Sequence, residues 1–250
     1  MKISIITATY NRANTLPKTI ESVLAQTYGD IDYWIIDGQS QDGTIDVIKS
    51  YEPRFNGRMH WVSEPDNGIY DAMNKGIALC TGDVVGIINS DDWFTSNDVV
   101  ERVAKAFTDD VDAVFGDVHF VEIGNEQKMM RYQSGRIYCP FMTRFGFAPP
   151  HASFYVRREI LERYGNYDTT YKIAGDFDLI ARLCYKHKIR TKYIPLDFVT
   201  MTHGGASSRD QKALDQGAQE VVDSCKKLGI HLSKIKIRLR NLLYAVAQYI

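Results

Sequence analysis

The sequence predicts an α/β protein built on a mostly parallel, Rossmann-like sheet that is flanked by helices and followed by a C-terminal amphipathic helix. Apolar runs of strand length, rich in β-branched residues, alternate with amphipathic stretches of helix length in the N-terminal half. Acidic residues follow several of these strands, where open α/β sheets bind their ligands. The chain has 250 residues, of which 44% are hydrophobic and 24% charged, so its apolar content suffices for one large domain.

Four strands, each followed by a helix, are predicted in the N-terminal half. The strands are expected at residues 3–7, 33–36, 59–62 and 84–88. The helices are expected at residues 15–26, 43–51, 69–78 and 99–107. Thr15 is the expected cap of the first helix, and Pro17 lies close to its first helical position. Strands that alternate with helices at this spacing favour a parallel sheet with right-handed crossovers.

The pattern becomes less regular in the second half of the chain. We expect a strand at 113–122, an irregular stretch at 128–150, a short strand at 152–155, and helices at 158–164 and 176–185. Two more short strands are expected at 192–194 and 198–202. These elements indicate one domain over residues 1–205, divided into a first part (1–125) and a second part (126–205), with a helical extension over 206–250.

The composition argues against several classes of protein. The formal net charge is −1, so no whole-protein field favours nucleic acid, and no nucleic-acid partner is expected. The four cysteines are far apart and form no Cys-x-x-Cys pair, which predicts reduced thiols in a cytoplasmic protein. No stretch approaches the roughly 20 apolar residues of a membrane span, and the apolar start of the chain is too short for a signal peptide. No Gly-x-Gly-x-x-Gly motif follows a predicted strand, which argues against a dinucleotide oxidoreductase.

Acidic residues follow three of the predicted strands and are expected along one rim of the sheet. Asp37 ends the second strand, and Asp66 follows the third. Asp91 and Asp92 follow the fourth strand as an adjacent pair. Such carboxylates would repel one another unless a cation lay between them. A divalent cation that also binds phosphate, Mg²⁺ or Mn²⁺, removes this repulsion, whereas a turn with solvated acids is the alternative for each acid taken alone.

Four pieces of the sequence, which occur in order, resemble the inverting nucleotide-sugar glycosyltransferases of family 2, of the bacterial surface-polysaccharide type. They are residues 7–12 (Thr-Ala-Thr-Tyr-Asn-Arg), 36–44 (Ile-Asp-Gly-Gln-Ser-Gln-Asp-Gly-Thr), 64–76 (Glu-Pro-Asp-Asn-Gly-Ile-Tyr-Asp-Ala-Met-Asn-Lys-Gly) and 89–92 (Asn-Ser-Asp-Asp). The resemblance is strong over about residues 1–125 and weaker over 145–205. It departs from the family at Ala8, where many relatives carry proline. The resemblance implies the A-type glycosyltransferase fold.

The resemblance also implies that residues 1–125 bind the nucleotide-sugar donor. The residues implied in donor binding are Thr9, Tyr10, Asn11, Arg12, Asp37, Asp66, Asn74, Lys75 and Asp91. A carboxylate suits the imide N–H of uracil, which favours a UDP-sugar, and an arginine suits phosphate. Asp92 is implied as a direct ligand of Mn²⁺ or Mg²⁺, which neutralises the diphosphate leaving group. A solvated surface position is the alternative for Arg12, and a polar helix face is the alternative for Lys75.

Transfer with inversion requires a base that takes the proton from the acceptor hydroxyl as it attacks. The resemblance implies Asp176 as this base, although Gly175 stands where relatives typically carry glutamate. Capping of the helix that begins here is the alternative role of Asp176. Asp178 lies about 200° round the helix and is expected to pair with Arg182, four residues further on. His203 is a second candidate metal ligand, with an ordinary loop histidine as the alternative.

The C-terminal tail combines basic and apolar residues. No acidic residue occurs after Asp223, and basic residues flank an apolar stripe at helical spacing over 226–250. This pattern is typical of a helix in a membrane interface, and equally of a helix docked on the core with its cations in water. A membrane-facing helix would suit a lipid-linked oligosaccharide acceptor. The expected location is therefore the cytoplasm, with peripheral contact at the inner face of the cell membrane under the first alternative.

The leading interpretation is metal-dependent transfer of a sugar from a UDP-sugar to a hydroxyl of a saccharide acceptor, with inversion. Two alternatives remain open. A nucleotidyltransferase that acts on sugar phosphates typically has a glycine- and arginine-rich first loop with a lysine, which residues 8–14 match poorly. A non-catalytic protein that binds nucleotide sugars would keep the donor site and lack a working base.

Overall fold

The computed structural model describes residues 1–202, 210–233 and 236–237, and it confirms the α/β class. Nine strands form one sheet within these residues, and apolar layers cover both of its faces. The side chains of the first strand alternate between two buried clusters: Ile3 and Ile5 face one cluster, and Ile6 and Ala8 face the other. Alternating side chains point to opposite faces of a sheet, so each cluster lies on its own side.

The N-terminal half follows the predicted order of elements. Strands β1–β4 span Ile3–Thr9, Ile31–Asp37, Met59–Ser63 and Val84–Ile87. Helices α1–α3 span Leu16–Leu24, Thr44–Tyr51 and Ile69–Leu79, with a 3-10 turn at Glu52–Phe55. The two-residue strand β5 spans Trp93–Phe94 and precedes α4, which spans Val99–Ala106. Sequence patterning therefore located each predicted element of this half to within a few residues.

The first four strands lie side by side in the order β3, β2, β1, β4, and all are parallel. The register pairs Thr9 of β1 with Asp37 of β2, and Asp37 with Ser63 of β3. Because parallel strands end at the same edge of a sheet, the residues that follow these strands share one rim. The predicted rim of acidic residues is therefore a structural feature of the protein.

The second half contains four more strands and three helices. Strands β6–β9 span Ala113–Glu122, Asn125–Gln133, Tyr155–Arg157 and Thr191–Thr202. Helices α5–α7 span Arg158–Tyr164, Gly175–Ala181 and Gln211–Lys227. Two 3-10 turns span Pro140–Phe145 and His151–Ser153, and a π-helical turn at Arg182–Lys186 extends α6.

Sequence patterning is less successful here. The stretch predicted as irregular, 128–150, contains most of β7, whose largely exposed residues lack the apolar alternation of a half-buried strand. The short strand predicted at 152–155 begins instead at Tyr155, after a 3-10 turn. The two short strands predicted after residue 192 are one continuous strand, β9. Helix α7 lies within the helical extension predicted over 206–250, although its bounds were not predicted.

The second half also adds antiparallel pairs, so the sheet as a whole is mixed. Strand β8 lies antiparallel between β4 and β6, whereas β6 and β9 are parallel. Strands β5 and β7 pair antiparallel with β9 and β6. The close approach of β8 to β4 depends on Gly86, because a Cβ added there would lie 2.2 Å from the ring of Tyr155.

The start of the C-terminal tail differs from the helix predicted over 226–250. Helix α7 ends at Lys227, and Gly229 follows with a φ of +73°. This left-handed conformation commonly closes a helix and is accessible to glycine at no steric cost. The apolar stripe therefore does not begin as a continuation of α7.

The described residues of the tail beyond α7 pack on the protein core. Ile230, Leu232 and Ile237 are buried in a cluster with residues of α6 and α7. This packing corresponds to the docked alternative for these positions. Residues 234–235 and 238–250, and with them most of the predicted membrane-facing helix, lie outside the described residues. None of the helices within the described ranges is both long and apolar enough to cross a membrane.

Candidate functional site

Asp37 ends β2 at the shared rim and is fully buried. Its carboxylate accepts hydrogen bonds from the Ser40 N–H at 2.9 Å and the Ser63 hydroxyl at 2.7 Å, and the Ser40 hydroxyl also donates to it. These bonds hold the loop after β2 and the end of β3 around one carboxylate. Three of its roughly four acceptor positions are used, so one remains for a further donor such as a ligand N–H. The nucleoside contact itself stays a prediction.

Tyr10 and Asp66 face each other across Gly38 on the same rim. A Cβ added at Gly38 would lie 2.5 Å from Asp66 Oδ2 and 3.5 Å from the Tyr10 ring, so glycine keeps this gap open. The Tyr10 side chain is 58% exposed, and the other Asp66 oxygen accepts the Gly68 N–H at 2.9 Å. The Thr9 hydroxyl is buried and has no hydrogen-bond partner among the described residues. A buried polar group of this kind marks a place where a ligand can bind.

The loops that follow β1 and β2 are tied together by hydrogen bonds. The Asn11 N–H donates to the Ser40 hydroxyl at 2.7 Å, and the Asn11 side-chain oxygen accepts the Gln41 N–H at 2.9 Å. The Arg12 N–H donates to the Thr44 hydroxyl at 2.8 Å, while its exposed side chain has no ion pair within the described parts of the chain. The Asn11 side chain therefore shapes the cleft, and the Arg12 guanidinium is free to meet an anion.

Asp91 and Asp92 lie just beyond the end of β4. Asp92 is only 2% exposed, and one of its oxygens accepts the Asn89 side-chain N–H at 2.8 Å. Burial, together with the neighbouring charge of Asp91, raises the pKa of Asp92 to about 8, although hydrogen bonds from Asn89 and the Thr202 backbone oppose this shift. The charged form of Asp92 is thus unfavourable unless a cation compensates for it.

The chemistry of this acid pair fits Mn²⁺ or Mg²⁺. Both cations prefer oxygen ligands, and they are commonly held by one or two carboxylates together with substrate phosphates. Over residues 1–202, 210–233 and 236–237, no three His, Cys, Asp or Glu side chains are grouped to hold a metal ion. Asp91 and Asp92 would therefore share the ion with ligands from elsewhere. His203 follows Thr202 directly but lies outside the described residues, so its predicted contact stays a prediction.

Asn74 and Lys75 lie in α3, and the side chains of both bind protein groups outside this helix. The Asn74 amide donates to the Tyr167 carbonyl at 2.9 Å and accepts the Tyr167 N–H at 3.0 Å. Lys75 Nζ donates to the Pro65 carbonyl at 2.6 Å and lies 2.8 Å from Glu64. Asn74 thereby joins α3 to the second half, and Lys75 stabilises the loop that carries the acid after β3. Direct contact of either residue with the donor remains a prediction.

Asp176 is the second residue of α6 and is partly exposed. Its carboxylate accepts the Phe177 N–H at 2.7 Å and lies 3.5 Å from the Tyr70 hydroxyl, which donates to the Ile173 carbonyl at 2.7 Å. A Cβ at Gly175 would lie 2.8 Å from the Tyr70 ring, so this ring occupies the space that a glutamate would need. The structure thus gives a steric reason for the missing acid, and Asp176 is not the capping residue of α6.

Sequence analysis did not identify Glu220, which holds the loop before Asp176. The Glu220 carboxylate accepts hydrogen bonds from three successive backbone N–H groups, those of Lys172, Ile173 and Ala174, at 2.8–3.2 Å. Burial would raise the pKa of Glu220, but these hydrogen bonds outweigh burial and lower it. The carboxylate is therefore ionised and holds the backbone of residues 172–174, which leads into α6. No local signal marks it, because its partners lie 46–48 residues away in the chain.

A layer of neutral aromatic groups lies beside Asp176. His151 Nε2 is hydrogen-bonded to the Tyr167 hydroxyl at 2.7 Å, and the Tyr167 ring stacks on Tyr70 with centroids 5.5 Å apart. Burial lowers the pKa of His151, although the charge of Asp176 opposes this, and burial raises the pKa of Tyr167. None of these aromatic groups is charged near neutral pH, so Asp176 is the one acidic side chain in this set of contacts.

Asp178 has a structural role, as predicted. Its carboxylate lies 3.6 Å from Arg182 Nε and accepts the Ser224 hydroxyl at 2.8 Å. The Arg182 guanidinium also donates to the carbonyls of residues 164–166. These contacts join α6 to α7 and to the end of α5, so Asp178 is committed to the protein interior.

Comparisons with known proteins identify the family of this chain. Residues 4–173 match the family described as Glycosyl transferase family 2. An uncharacterized glycosyltransferase of Mycobacterium tuberculosis is 32% identical over 220 residues, covering 85% of this chain and 79% of that protein. A PGL/p-HBAD biosynthesis glycosyltransferase of Mycobacterium bovis is 28% identical over 237 residues, covering 94% of this chain and 89% of that protein.

Two solved structures share the fold at low sequence identity. The mannosyltransferase PcManGT of Pyrobaculum calidifontis, in complex with GDP-Man and Mn²⁺, is 20% identical with a TM-score of 0.67, covering 91% of this chain and 64% of that chain. A fragment of S. aureus TarS in complex with UDP-GlcNAc is 16% identical with a TM-score of 0.66, covering 94% of this chain and 69% of that fragment. This chain thus spans less than two thirds of the PcManGT chain. The architecture is the A-type glycosyltransferase fold, and the match over more than half of its length places this protein in glycosyl transferase family 2.

Proposed function

We propose that this glycosyltransferase moves a sugar from a UDP-sugar to a hydroxyl of a saccharide acceptor, with inversion at the anomeric carbon. One observation carries the proposal: the donor rim and the candidate base meet at Tyr70. Tyr70 lies four residues after Asp66 at the start of α3, and its hydroxyl lies 3.5 Å from Asp176 Oδ1. A donor bound at the rim would therefore have a carboxylate close to its sugar.

The donor rim offers each group that a nucleoside diphosphate requires. The exposed Tyr10 ring suits stacking on a base, and Asp37 or Asp66 suits the imide N–H of uracil. The buried Thr9 hydroxyl gains a partner when a ligand fills the cleft, and Arg12 suits the diphosphate. The similar folds of TarS, bound to UDP-GlcNAc, and PcManGT, bound to GDP-Man, support a nucleotide-sugar donor.

Asp92, with Asp91 beside it, would hold Mn²⁺ or Mg²⁺, and His203 is the further candidate ligand. The ion supplies Lewis-acid stabilisation of the diphosphate leaving group when bound. The oxygen-rich donor set and the buried, uncompensated carboxylate of Asp92 support this assignment. Asp91 is also placed to accept a hydrogen bond from ribose or from a water molecule on the ion.

Asp176 acts as the general base in this proposal. The acceptor oxygen attacks the anomeric carbon as its proton passes to the Asp176 carboxylate, and the bond from that carbon to the diphosphate oxygen breaks. Attack from the side opposite the leaving group inverts the configuration. His151 Nε2 is already hydrogen-bonded to the Tyr167 hydroxyl at 2.7 Å, which favours Asp176 over His151 as the base.

We assign donor binding to residues 1–125 and acceptor binding to residues 126–205, with 206–250 as a helical extension. The acceptor is proposed to be a lipid-linked saccharide at the inner face of the cell membrane. The relative named for PGL/p-HBAD biosynthesis supports a glycolipid or glycan product. The extension contributes Glu220 and Ser224 to the second part, so it stabilises the acceptor side.

A thermal-shift screen of nucleoside diphosphates with and without Mn²⁺ tests the donor assignment. We expect UDP with Mn²⁺ to raise the unfolding temperature by about 5 °C at saturation, because a ligand that binds only the folded state stabilises it. Asp92→Asn should remove the metal-dependent part of this shift. Asp83→Asn is the matched control, because Asp83 precedes β4 at the opposite edge of the sheet. No shift with any nucleotide would overturn the proposal, and binding without transfer would indicate a non-catalytic binder.

A further inference from the structure

Large apolar side chains are exposed between β7 and β8. The exposed fractions of Ile137, Phe141 and Phe145 are 58%, 57% and 44%. The Phe141 and Phe145 rings contact each other edge to face, with centroids 5.7 Å apart. Soluble surfaces carry single exposed apolar residues routinely, but three large ones within nine residues, two of them in ring contact, indicate a contact surface.

The segment that carries these side chains has charge of one sign. No acidic residue occurs between Glu126 and Glu159. Arg136 and Arg144 are exposed, and Arg144 lies over the Phe141 ring at 5.7 Å. Within the described residues neither guanidinium forms an ion pair. We name Arg136, Ile137, Phe141, Arg144 and Phe145 the basic apolar patch.

The protein holds this patch in an outward conformation. The 3-10 turn at Pro140–Phe145 buries Thr143, whose hydroxyl is hydrogen-bonded to the Tyr138 hydroxyl at 3.0 Å. The Thr143 carbonyl also lies 3.9 Å from Cys225 Sγ of α7. The turn is thus anchored from below, and its apolar side chains are exposed because Thr143 and Tyr138 occupy the inward side.

We propose that the basic apolar patch binds the surface of an anionic lipid bilayer. Aromatic and aliphatic side chains flanked by arginines are the combination that enters the interface of such a membrane. A second copy of this chain would place like charges against each other, which disfavours a symmetric dimer through this patch. Aromatic rings flanked by arginines also suit a saccharide, but the exposed aliphatic side chain of Ile137 favours a bilayer, and soluble saccharide is a competing outcome of the test.

The position of the patch makes this inference relevant to the acceptor. Phe145 is six residues from His151, a span of at most about 20 Å, and His151 belongs to the aromatic layer beside Asp176. A bilayer at the patch would bring lipid headgroups near the acceptor side. The inference therefore deepens the lipid-linked acceptor of the proposed function and assigns membrane contact to residues 136–145 rather than to the tail alone.

Co-sedimentation of the full chain with vesicles tests the inference without donor or acceptor. We expect binding to mixed phosphatidylcholine–phosphatidylglycerol vesicles and weak binding to pure phosphatidylcholine vesicles. The double variant Phe141→Ser/Phe145→Ser should partition about tenfold less, because two large apolar groups no longer enter the interface. The double variant Arg136→Glu/Arg144→Glu should lose binding to the anionic vesicles by a similar factor.

Ile123→Ser is the matched control. Ile123 is 72% exposed but lies between Glu122 and Glu126, so its loss should leave vesicle binding unchanged. Light scattering, thermal unfolding and transfer to a soluble saccharide are measured on the same variants. Wild-type vesicle binding by the Phe141→Ser/Phe145→Ser variant would overturn the proposal. The proposal would also be overturned if this variant kept vesicle binding but lost a dimer that the wild type forms. The same holds if it kept vesicle binding but lost an affinity for soluble saccharide. If the wild-type protein transfers no sugar to the soluble saccharide, that result counts against the proposed function and not against membrane binding.

Discussion

The donor rim and the acceptor side of the molecule are built in different ways. The loops at the donor rim join neighbouring elements: Asn11 bonds to Ser40 and Gln41 across 29–30 residues, at the ends of adjacent parallel strands. The acceptor side depends on distant partners, since the Tyr70 hydroxyl bonds to Ile173 across 103 residues. The sheet therefore forms the donor rim directly, whereas the position of Asp176 depends on side chains supplied by α3 and α7.

This difference separates the expected effects of mutation. A change at the donor rim should alter donor affinity and leave the chemical step largely intact. A change among the side chains that hold Asp176 should lower kcat and leave donor affinity largely intact, because it moves the base and not the nucleotide.

Among the residues that position Asp176 or the donor rim, removal of Glu220 should have the largest effect. Glu220→Ala leaves the N–H groups of Lys172, Ile173 and Ala174, just before α6, without their acceptor. We expect a loss of about 2–3 kcal/mol in the free energy of unfolding and a fall in kcat of about 100-fold. Stability is measured by denaturant unfolding, and kcat and donor KM by steady-state kinetics.

Asp223→Ala is the matched control for Glu220, because Asp223 lies on the same helix and is exposed beside Gln219. Glu220→Gln keeps one acceptor oxygen and should recover part of the lost kcat. Equal losses in donor KM and kcat for Glu220→Ala would contradict the separate construction of the two sides.

Enlargement of Gly175 should have the next largest effect. In Gly175→Ala the new Cβ would meet the Tyr70 ring at 2.8 Å, so either the ring or the start of α6 must move. We expect a loss of about 1–2 kcal/mol in stability and a fall in kcat of about tenfold, at nearly constant donor KM. Gly29→Ala is the control, because nothing lies within 4 Å of a Cβ there. A Gly175→Ala enzyme with wild-type kcat would show that Asp176 is not sensitive to this contact.

Loss of the Ser40 hydroxyl tests the donor rim. This hydroxyl donates to Asp37 and accepts the Asn11 N–H, so Ser40→Ala loosens the cleft without touching α6. We expect a donor KM about fivefold higher with kcat nearly unchanged, which corresponds to about 1 kcal/mol. Ser50→Ala, an exposed serine of α2, is the control. A fall in kcat without a change in KM would be the opposite of the expected pattern.

The smallest effect concerns the acid titration of the pair formed by Asp168 and Lys227, which are 2.9 Å apart. Burial would raise the pKa of Asp168, but hydrogen bonds from Thr170 and Lys227 lower it to about 2. The pair therefore adds stability above the unfolded pKa of about 3.9, and this contribution is lost as the pH falls toward 2.

Lys227→Met should consequently lower the unfolding temperature at about pH 5 and have less effect at about pH 2.5, with Lys226→Met as the control. The side chains of the pair are 33% and 56% exposed, so solvent screening keeps the expected difference small. An identical difference at both pH values would mean that the ion pair does not contribute.

The sequence predicts the strands and helices of the proposed donor side well because local signals define them. An apolar strand that ends in Asp37 and another that is followed by Asp91 identify the rim, since the topology of a parallel sheet follows from alternating elements. The acceptor side offers weaker local signals. Strand β7 is mostly exposed on both faces, and α7 is a polar helix whose important residue, Glu220, binds far along the chain. Its partners are set by tertiary packing, which residue spacing does not encode.

Gly175 illustrates a feature that sequence analysis identifies without explaining. The absence of glutamate before Asp176 is visible in the sequence, but its cause is the Tyr70 ring, which comes from an element about 100 residues earlier. The tail shows the converse. Its apolar stripe predicts one continuous helix over 226–250, whereas α7 ends at Lys227 and Gly229 follows in a left-handed conformation. Ile230 and Leu232, beyond this break, are buried against the core.

The most direct test of the central claim is a paired measurement on Asp176→Asn: sugar transfer under saturating donor, and calorimetric binding of UDP with Mn²⁺. The account predicts that transfer falls by about 10²–10⁴-fold because the base is lost, while UDP affinity stays within about twofold of wild type because the donor rim is separate. Unchanged transfer would contradict the role of Asp176 as the base, and a parallel loss of UDP binding would contradict the separation of the donor rim from the base.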